Sequence, residues 1–343
     1  MKKKNILITL WLLFLLAAAS PRAWAAEAGD RLVPVGQTVG IRIECDGVMV
    51  SGLAEVETAE GTVCPAREAG ILPGDRIVAL GGEAVHSGEE FLSRAKALTG
   101  EPVELRAVRE GRTLSVTVTP KKGERDVWQL GLWLRSGVHG IGTVTFWDPA
   151  TGLFGALGHG VSLSQGEGLL AMSGGVITAA TVEEAAPGHR GEPGALRGTA
   201  EPDTVLGTVE ENTPQGIFGK AGTPLGDRAA VPVAEDRDIH LGRATILSTV
   251  GPEGPREYDA EITRIARDGS ETRQLTLSVT DPELLSVTGG IVQGMSGSPI
   301  LQDGKLVGAV THVLVSDPSK GYGISMENML RALSGDGDGK AAA

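Results

Sequence analysis

The residues with the clearest capacity for chemistry are Gly294-Met295-Ser296-Gly297-Ser298-Pro299. A serine hydroxyl attacks a carbonyl well only when a base takes its proton and backbone N–H groups hold the developing oxyanion. Glycines on both sides let the chain turn tightly enough for N–H groups to converge on one point. The amides of Gly294 and Ser296 are the expected donors, and Pro299 releases the chain into the apolar pair Ile300-Leu301. Six histidines could supply the base. His159 lies between Gly158 and Gly160 just after a strand-like run, where small neighbours allow close approach; His312 follows the serine inside an alternating strand, Ala309–Val313. His86, His139, His189 and His240 have polar or irregular surroundings and read as surface residues.

A base of this kind is usually oriented by a carboxylate on its second nitrogen. Asp203, Asp236, Asp238, Asp259 and Asp281 all qualify by type. Asp281 lies fifteen residues before the serine and ahead of Pro282-Glu283-Leu284-Leu285, where an ordinary helix N-cap is equally expected. No Cys/His cluster has zinc spacing and no His-Glu-x-x-His occurs, so no metal or other cofactor is expected.

The elements that must position these groups are strands. With 50 glycines and 3% aromatic residues in 343, the chain favours many short strands joined by turns, and the length suits two domains. The net charge of −12 argues against a nucleic-acid partner. Met1-Lys2-Lys3-Lys4, the uncharged run Ile6 to Ala19 and Ala23-Trp24-Ala25 form a basic, apolar and small-residue series. Residues 1–26 are therefore expected to be a signal peptide cleaved before Ala26, or an N-terminal membrane anchor, and the rest to be exported. Export permits a disulfide, but Cys45 and Cys64 equally suit two small buried side chains.

Residues 27–122 alternate with period 2 around Gly/Pro turns. Ser87 and Glu90 form a capping box for a helix through Phe91, Leu92, Ala95 and Leu98; a hairpin turning at Glu110-Gly111 closes the segment. Ala69-Gly70-Ile71-Leu72-Pro73-Gly74-Asp75-Arg76-Ile77 resembles the signature stretch of a PDZ domain. That resemblance implies capture of an extended peptide or a peptide C-terminus at a sheet edge, near Val39, Gly40 and Ile41. Lys121 to Asp126 reads as a linker, residues 128–333 as a β-barrel or pair of barrels, and residues 334–343 as a disordered tail.

Two long motifs extend the resemblance. Gly289 to Ile300, continued by Gly308 to Val313, and Gly140 to Phe146 with Gly155 to His159, are similar to the SpoIVB peptidase family. The resemblance implies a mostly β protein, a PDZ domain followed by a chymotrypsin-like double β-barrel serine peptidase. It implies His159, Asp281 and Ser296 as catalytic residues. It further implies an exported enzyme of the forespore intermembrane space. Such an enzyme cleaves itself and a membrane-bound regulator of an intramembrane protease, activating a late mother-cell sigma factor. Two other functions fit the same modules: an inert peptide-binding scaffold, and an HtrA-like envelope quality-control protease. In the HtrA type, though, the PDZ domain follows the protease.

Overall fold

The computed structural model describes residues 31–124, 126–162, 168–267 and 272–334. The expected leader, residues 1–26, lies outside them, as does the tail from 335 onward. Among the described residues no helix is long and apolar enough to cross a membrane.

Strands dominate. Fifteen of them, with three helices, carry the architecture: β1 (Thr38–Leu53), β2 (Arg76–Leu80), α1 (Gly88–Ala95), β3 (Val103–Arg109), β4 (Arg112–Val118), β5 (Leu132–Trp147), β6 (Leu153–Ala156), β7 (Met172–Ala186), β8 (Ala195–Thr213), β9 (Gly216–Ala221), β10 (Gly242–Ser248), β11 (Arg256–Ile265), β12 (Leu275–Val279), α2 (Pro282–Thr288), β13 (Pro299–Gln302), β14 (Lys305–Val313), β15 (Lys320–Ser325) and α3 (Met326–Arg331). The pairings β5-β6-β9-β8-β7-β1 return to β5 and close a first six-stranded barrel. A second closed barrel runs β10-β11-β12-β15-β14-β13. In β11 the alternation is plain: Tyr258, Ala260 and Ile262 point into the core while Glu257, Asp259 and Glu261 face out.

The PDZ-like module expected from sequence is an insertion in the first barrel. β1 and β5 pair along almost their whole length, from Thr38↔Thr143 to Leu53↔Leu132. One end of this ribbon belongs to the first barrel, where Val39, Ile41 and Ile43 pack against Val144, Ile177 and Val209. The other end carries the module, where Val48 and Val50 pack against Ile77, Phe91 and Leu105. The boundaries expected from sequence therefore change. Residues 38–45 form a peptidase strand, and the inserted module occupies the chain between the two halves of the ribbon. Period-2 alternation could not show this, because a strand looks the same whichever sheet receives it.

Val39, Gly40 and Ile41 are therefore not a peptide-binding edge. β1 there pairs with β7 on one side (Val39↔Ala179, Gly40↔Thr178, Ile41↔Ile177) and with β5 on the other. Both edges are occupied, so no further strand can be added. The 121–126 stretch is not a free linker either: Lys121–Lys122 pairs with Trp128–Gln129 as a small hairpin. Ser87 caps α1 through the Glu90 N–H, but the Glu90 carboxylate accepts from His86 N–H, so the capping box is displaced by one residue. Cys45 and Cys64 are buried free thiols.

Ile43 is fully buried at the barrel end of the ribbon. Ile43→Ala should cost about 3 kcal/mol of stability, measured as a lowered urea midpoint at unchanged slope.

Candidate active site

Ser296 lies in a tight turn before β13, with Gly294 at φ +98° and Gly297 at φ +95°, backbone that a side chain rarely tolerates. The Met295 N–H donates to Val292 O (3.1 Å), Gly297 N–H to Val310 O (2.7 Å) and Ser298 N–H to Met295 O (2.9 Å). Among the described residues the N–H groups of Gly294 and Ser296 find no protein acceptor. They are the two donors expected from the sequence, and they are available to a ligand.

The first barrel grips this turn. Thr143 of β5 donates its N–H to Ser296 O (3.0 Å) and its hydroxyl to Gly294 O (2.8 Å). A Cβ on Gly297 would fall 2.0 Å from Thr143 O and 2.5 Å from the Leu157 nitrogen, so only glycine lets the two barrels meet here. From that contact the chain leaves β6 through two left-handed residues, Leu157 and Gly158, both at φ +70°. Gly158 packs against the side chains of Thr311 and Ile324. His159 follows directly, so the turn that bears it is seated on β14 of the second barrel.

His159 and Ser296 thus converge at the junction of the barrels. The Ser296 hydroxyl donates to Thr311 O (2.8 Å), and the ring of the next residue, His312, lies 5.0 Å from the His159 ring, centroid to centroid. The His159 ring sits at 2.9 Å, through Nδ1, from Gly160 O. A carbonyl can only accept, so Nδ1 carries the proton and Nε2 the lone pair. Burial pushes the His159 pKa below its ordinary 6.5, partly offset by the bond to Gly160 O. His312 is held down to about 4 by burial, then by the neighbouring His159 and by Arg273. Its Nδ1 is buried and has no partner among the described residues.

Asp281 is elsewhere. Its carboxylate caps α2, accepting from Leu284 N–H (2.9 Å) and from Asp259 N–H (3.3 Å). The structure places it at the start of α2, and among the described residues the His159 ring has a hydrogen bond only to Gly160 O. The physical reason is local: Asp-Pro before an apolar run is an N-cap, and the first turn's orphan N–H groups claim the oxygens. Thr311 and His312 belong to the site through space, and only the alternation of β14 marked them in sequence. Among the described residues no group of three or more His, Cys, Asp or Glu could hold a metal ion.

The peptide groove also lies away from its expected place. A mainly apolar cleft of about 530 Å³ separates α1 from the start of β5, lined by Phe91, Leu92, Ala95, Leu130 and Trp133. At Leu132–Arg135, β5 pairs with β1 on one edge and turns the other toward this cleft. Leu130-Gly131-Leu132 was the signal available in sequence, but it stands at the far end of the module from the strand chosen there.

Comparison with known proteins agrees with this architecture. The family model described as SpoIVB peptidase S55 matches residues 126–330, and one described as a PDZ domain matches residues 58–109. A putative zinc metalloprotease of Bartonella henselae is 36% identical over 78 residues, 23% of this chain and 22% of that protein. Zinc metalloprotease RasP of Geobacillus kaustophilus is 39% identical over 64 residues, 19% of this chain and 14% of that one. The chain spans about a fifth or less of these relatives' length. Among solved structures, the PDZ domain of an SdrC-like protein from Listeria monocytogenes aligns with TM-score 0.22 and 21% identity, covering 26% of this chain and 87% of that one. The Rv3671c protease in an inactive form aligns with TM-score 0.35 and 16% identity, covering 57% and 84%.

Asp281→Ala should remove the α2 cap at a cost of about 1 kcal/mol. Its kcat should fall far less than the roughly 10⁴-fold known for loss of a carboxylate that orients a catalytic histidine. Thermal unfolding and turnover of a peptide substrate, measured together, check this.

Proposed function

The chain belongs to the SpoIVB peptidase S55 family and is a serine peptidase carrying a PDZ domain, and from that premise we propose that Ser296 is its nucleophile, His159 its general base, and the Gly294 and Ser296 amides its oxyanion hole. One observation carries the reading. In the turn from Gly294 to Ser298, the amides without a protein acceptor among the described residues are those of Gly294 and of Ser296 itself.

The reaction needs one preliminary movement. The hydroxyl, which donates to Thr311 O in the structure, leaves that acceptor and engages His159. Substrate binding often tightens contacts that are loose in the free enzyme. Ser296 Oγ then attacks the peptide carbonyl as its proton passes to His159 Nε2. The two amides hold the oxyanion, a contribution of about 3 kcal/mol per donor. The imidazolium gives its proton to the leaving amine, and water repeats the sequence on the acyl-enzyme. Throughout, Nδ1–H stays on Gly160 O, which fixes the tautomer that the chemistry requires.

The family resemblance supports a finer reading. The substrate is a membrane-bound regulator of an intramembrane protease in sporulation, and the enzyme also cleaves itself. The N-terminal series from Met1 to Ala25 supports export to the forespore intermembrane space. The cleft between α1 and β5 supports capture of a peptide, from a substrate or from a second copy.

Ser296→Ala should abolish cleavage, leaving at most the roughly 10³–10⁴-fold over water seen without a working triad. Mass spectrometry of the full chain beside Ser296→Ala tests both claims: fragments present in both would exclude self-cleavage, and equal peptide turnover would exclude Ser296.

The pH dependence has a definite sign. His159 must be neutral to act, and its pKa in the free enzyme is lowered, so the acid limb of kcat/KM should lie below 6.5. Both buried histidines have folded pKa values below their unfolded value. Stability should therefore be full above pH 6.5 and decline as pH falls from there toward about 4. A limb above 6.5, in a pH–rate profile with unfolding followed in parallel, would contradict this.

A further inference from the structure

The Gly160–Val161 peptide group is hydrogen-bonded at both ends. Its C=O accepts from His159 Nδ1 (2.9 Å), and its N–H donates to Asn212 Oδ1 (2.8 Å). Asn212, near the end of β8, is locked in that orientation because its amide nitrogen donates to Val161 O (2.9 Å) and Leu170 O (3.1 Å). An amide turned the other way would set its oxygen against two carbonyls. The neighbouring turn adds a fourth tie, Gly160 N–H to Pro214 O (3.2 Å).

We propose that Asn212 is a positioning residue for the catalytic histidine, acting through this one peptide group. The inference rests on His159 being the base. The chain of contacts runs Asn212 Oδ1, peptide N–H, peptide C=O, His159 Nδ1–H. Hydrogen bonds in series polarise one another, so an acceptor on the peptide N–H makes the carbonyl a better acceptor for the imidazole. The chain performs two tasks of a triad carboxylate: it fixes the tautomer and it aims the ring. It supplies no full negative charge, which accords with a ring whose pKa lies below its ordinary value. No proton leaves the chain during turnover; the travelling proton moves only between Ser296, Nε2 and the leaving amine.

The test uses the full chain and a fluorophosphonate, whose attack by Ser296 reports the hydroxyl's activation by His159. Asn212→Leu removes the acceptor and should slow labelling on the order of 10–100-fold, the scale of a small misplacement of a catalytic group. It should also move the acid limb to lower pH, because a weakened Nδ1–H bond favours the imidazolium less. Asn212→Asp keeps the acceptor oxygen and adds negative charge but sets its second oxygen against Val161 O and Leu170 O, so it should lower stability while moving the limb to higher pH. These opposite displacements separate positioning from mere loop support, which would slow labelling without moving the limb. Thermal unfolding of each variant is measured alongside; if Asn212→Leu does not fold, the near-isosteric Asn212→Asp decides alone. Labelling at the wild-type rate, or an unmoved limb in the folded variants, overturns the proposal. Failure of the wild-type chain to label at Ser296 would instead overturn the peptidase assignment beneath it.

Discussion

The contact of Gly297 with Thr143 and Leu157 is the constraint on which the site depends. The proposed nucleophile and base come from different barrels, and this is where the barrels touch backbone to backbone. Thr143 gives its N–H to Ser296, its hydroxyl to Gly294, and accepts from Leu157 N–H at 3.2 Å. Each such bond contributes about 1 kcal/mol net, enough together to offset the roughly 1–2 kcal/mol of a left-handed Leu157. The strained turn that presents His159 and the turn that presents Ser296 are thus held by the same residue.

That residue sits on β5, which gives the strand a second significance. Its first half borders the cleft against α1, and its second half holds the nucleophile turn. Because β1 accompanies β5 on both sides of a register break between Arg135↔Met49 and Gly137↔Glu44, module and barrel are joined through the same two strands. A peptide captured at the cleft would be held at a fixed displacement from the reacting atoms.

Two histidines and the cation Arg273 set the electrostatics of the site. His159 and His312 are buried side by side, and burial holds both pKa values down. The proton relay is built from backbone and amide dipoles, which cost less to bury than an ion. Asp281, the acidic residue with the most suggestive spacing, is used by the second barrel to start α2 and to tie that helix to β11.

Much of this was legible in the residues. The glycine turn around Ser296, the small-residue setting of His159, the strand-rich architecture and the PDZ signature all follow from local chemistry, because turns and alternation are set by neighbours in the chain. Neither the third partner nor the groove was legible. Asn212 stands 53 residues after His159 and carries no motif, and Leu130-Gly131-Leu132 reaches the groove only because the module is threaded between two barrel strands. The sequence by itself therefore determined the glycine turn that carries Ser296, the small-residue turn that carries His159 and the strand-rich fold. Tertiary structure alone decided what aims the imidazole and which strand edge stays open, since both depend on pairings between segments far apart in the chain.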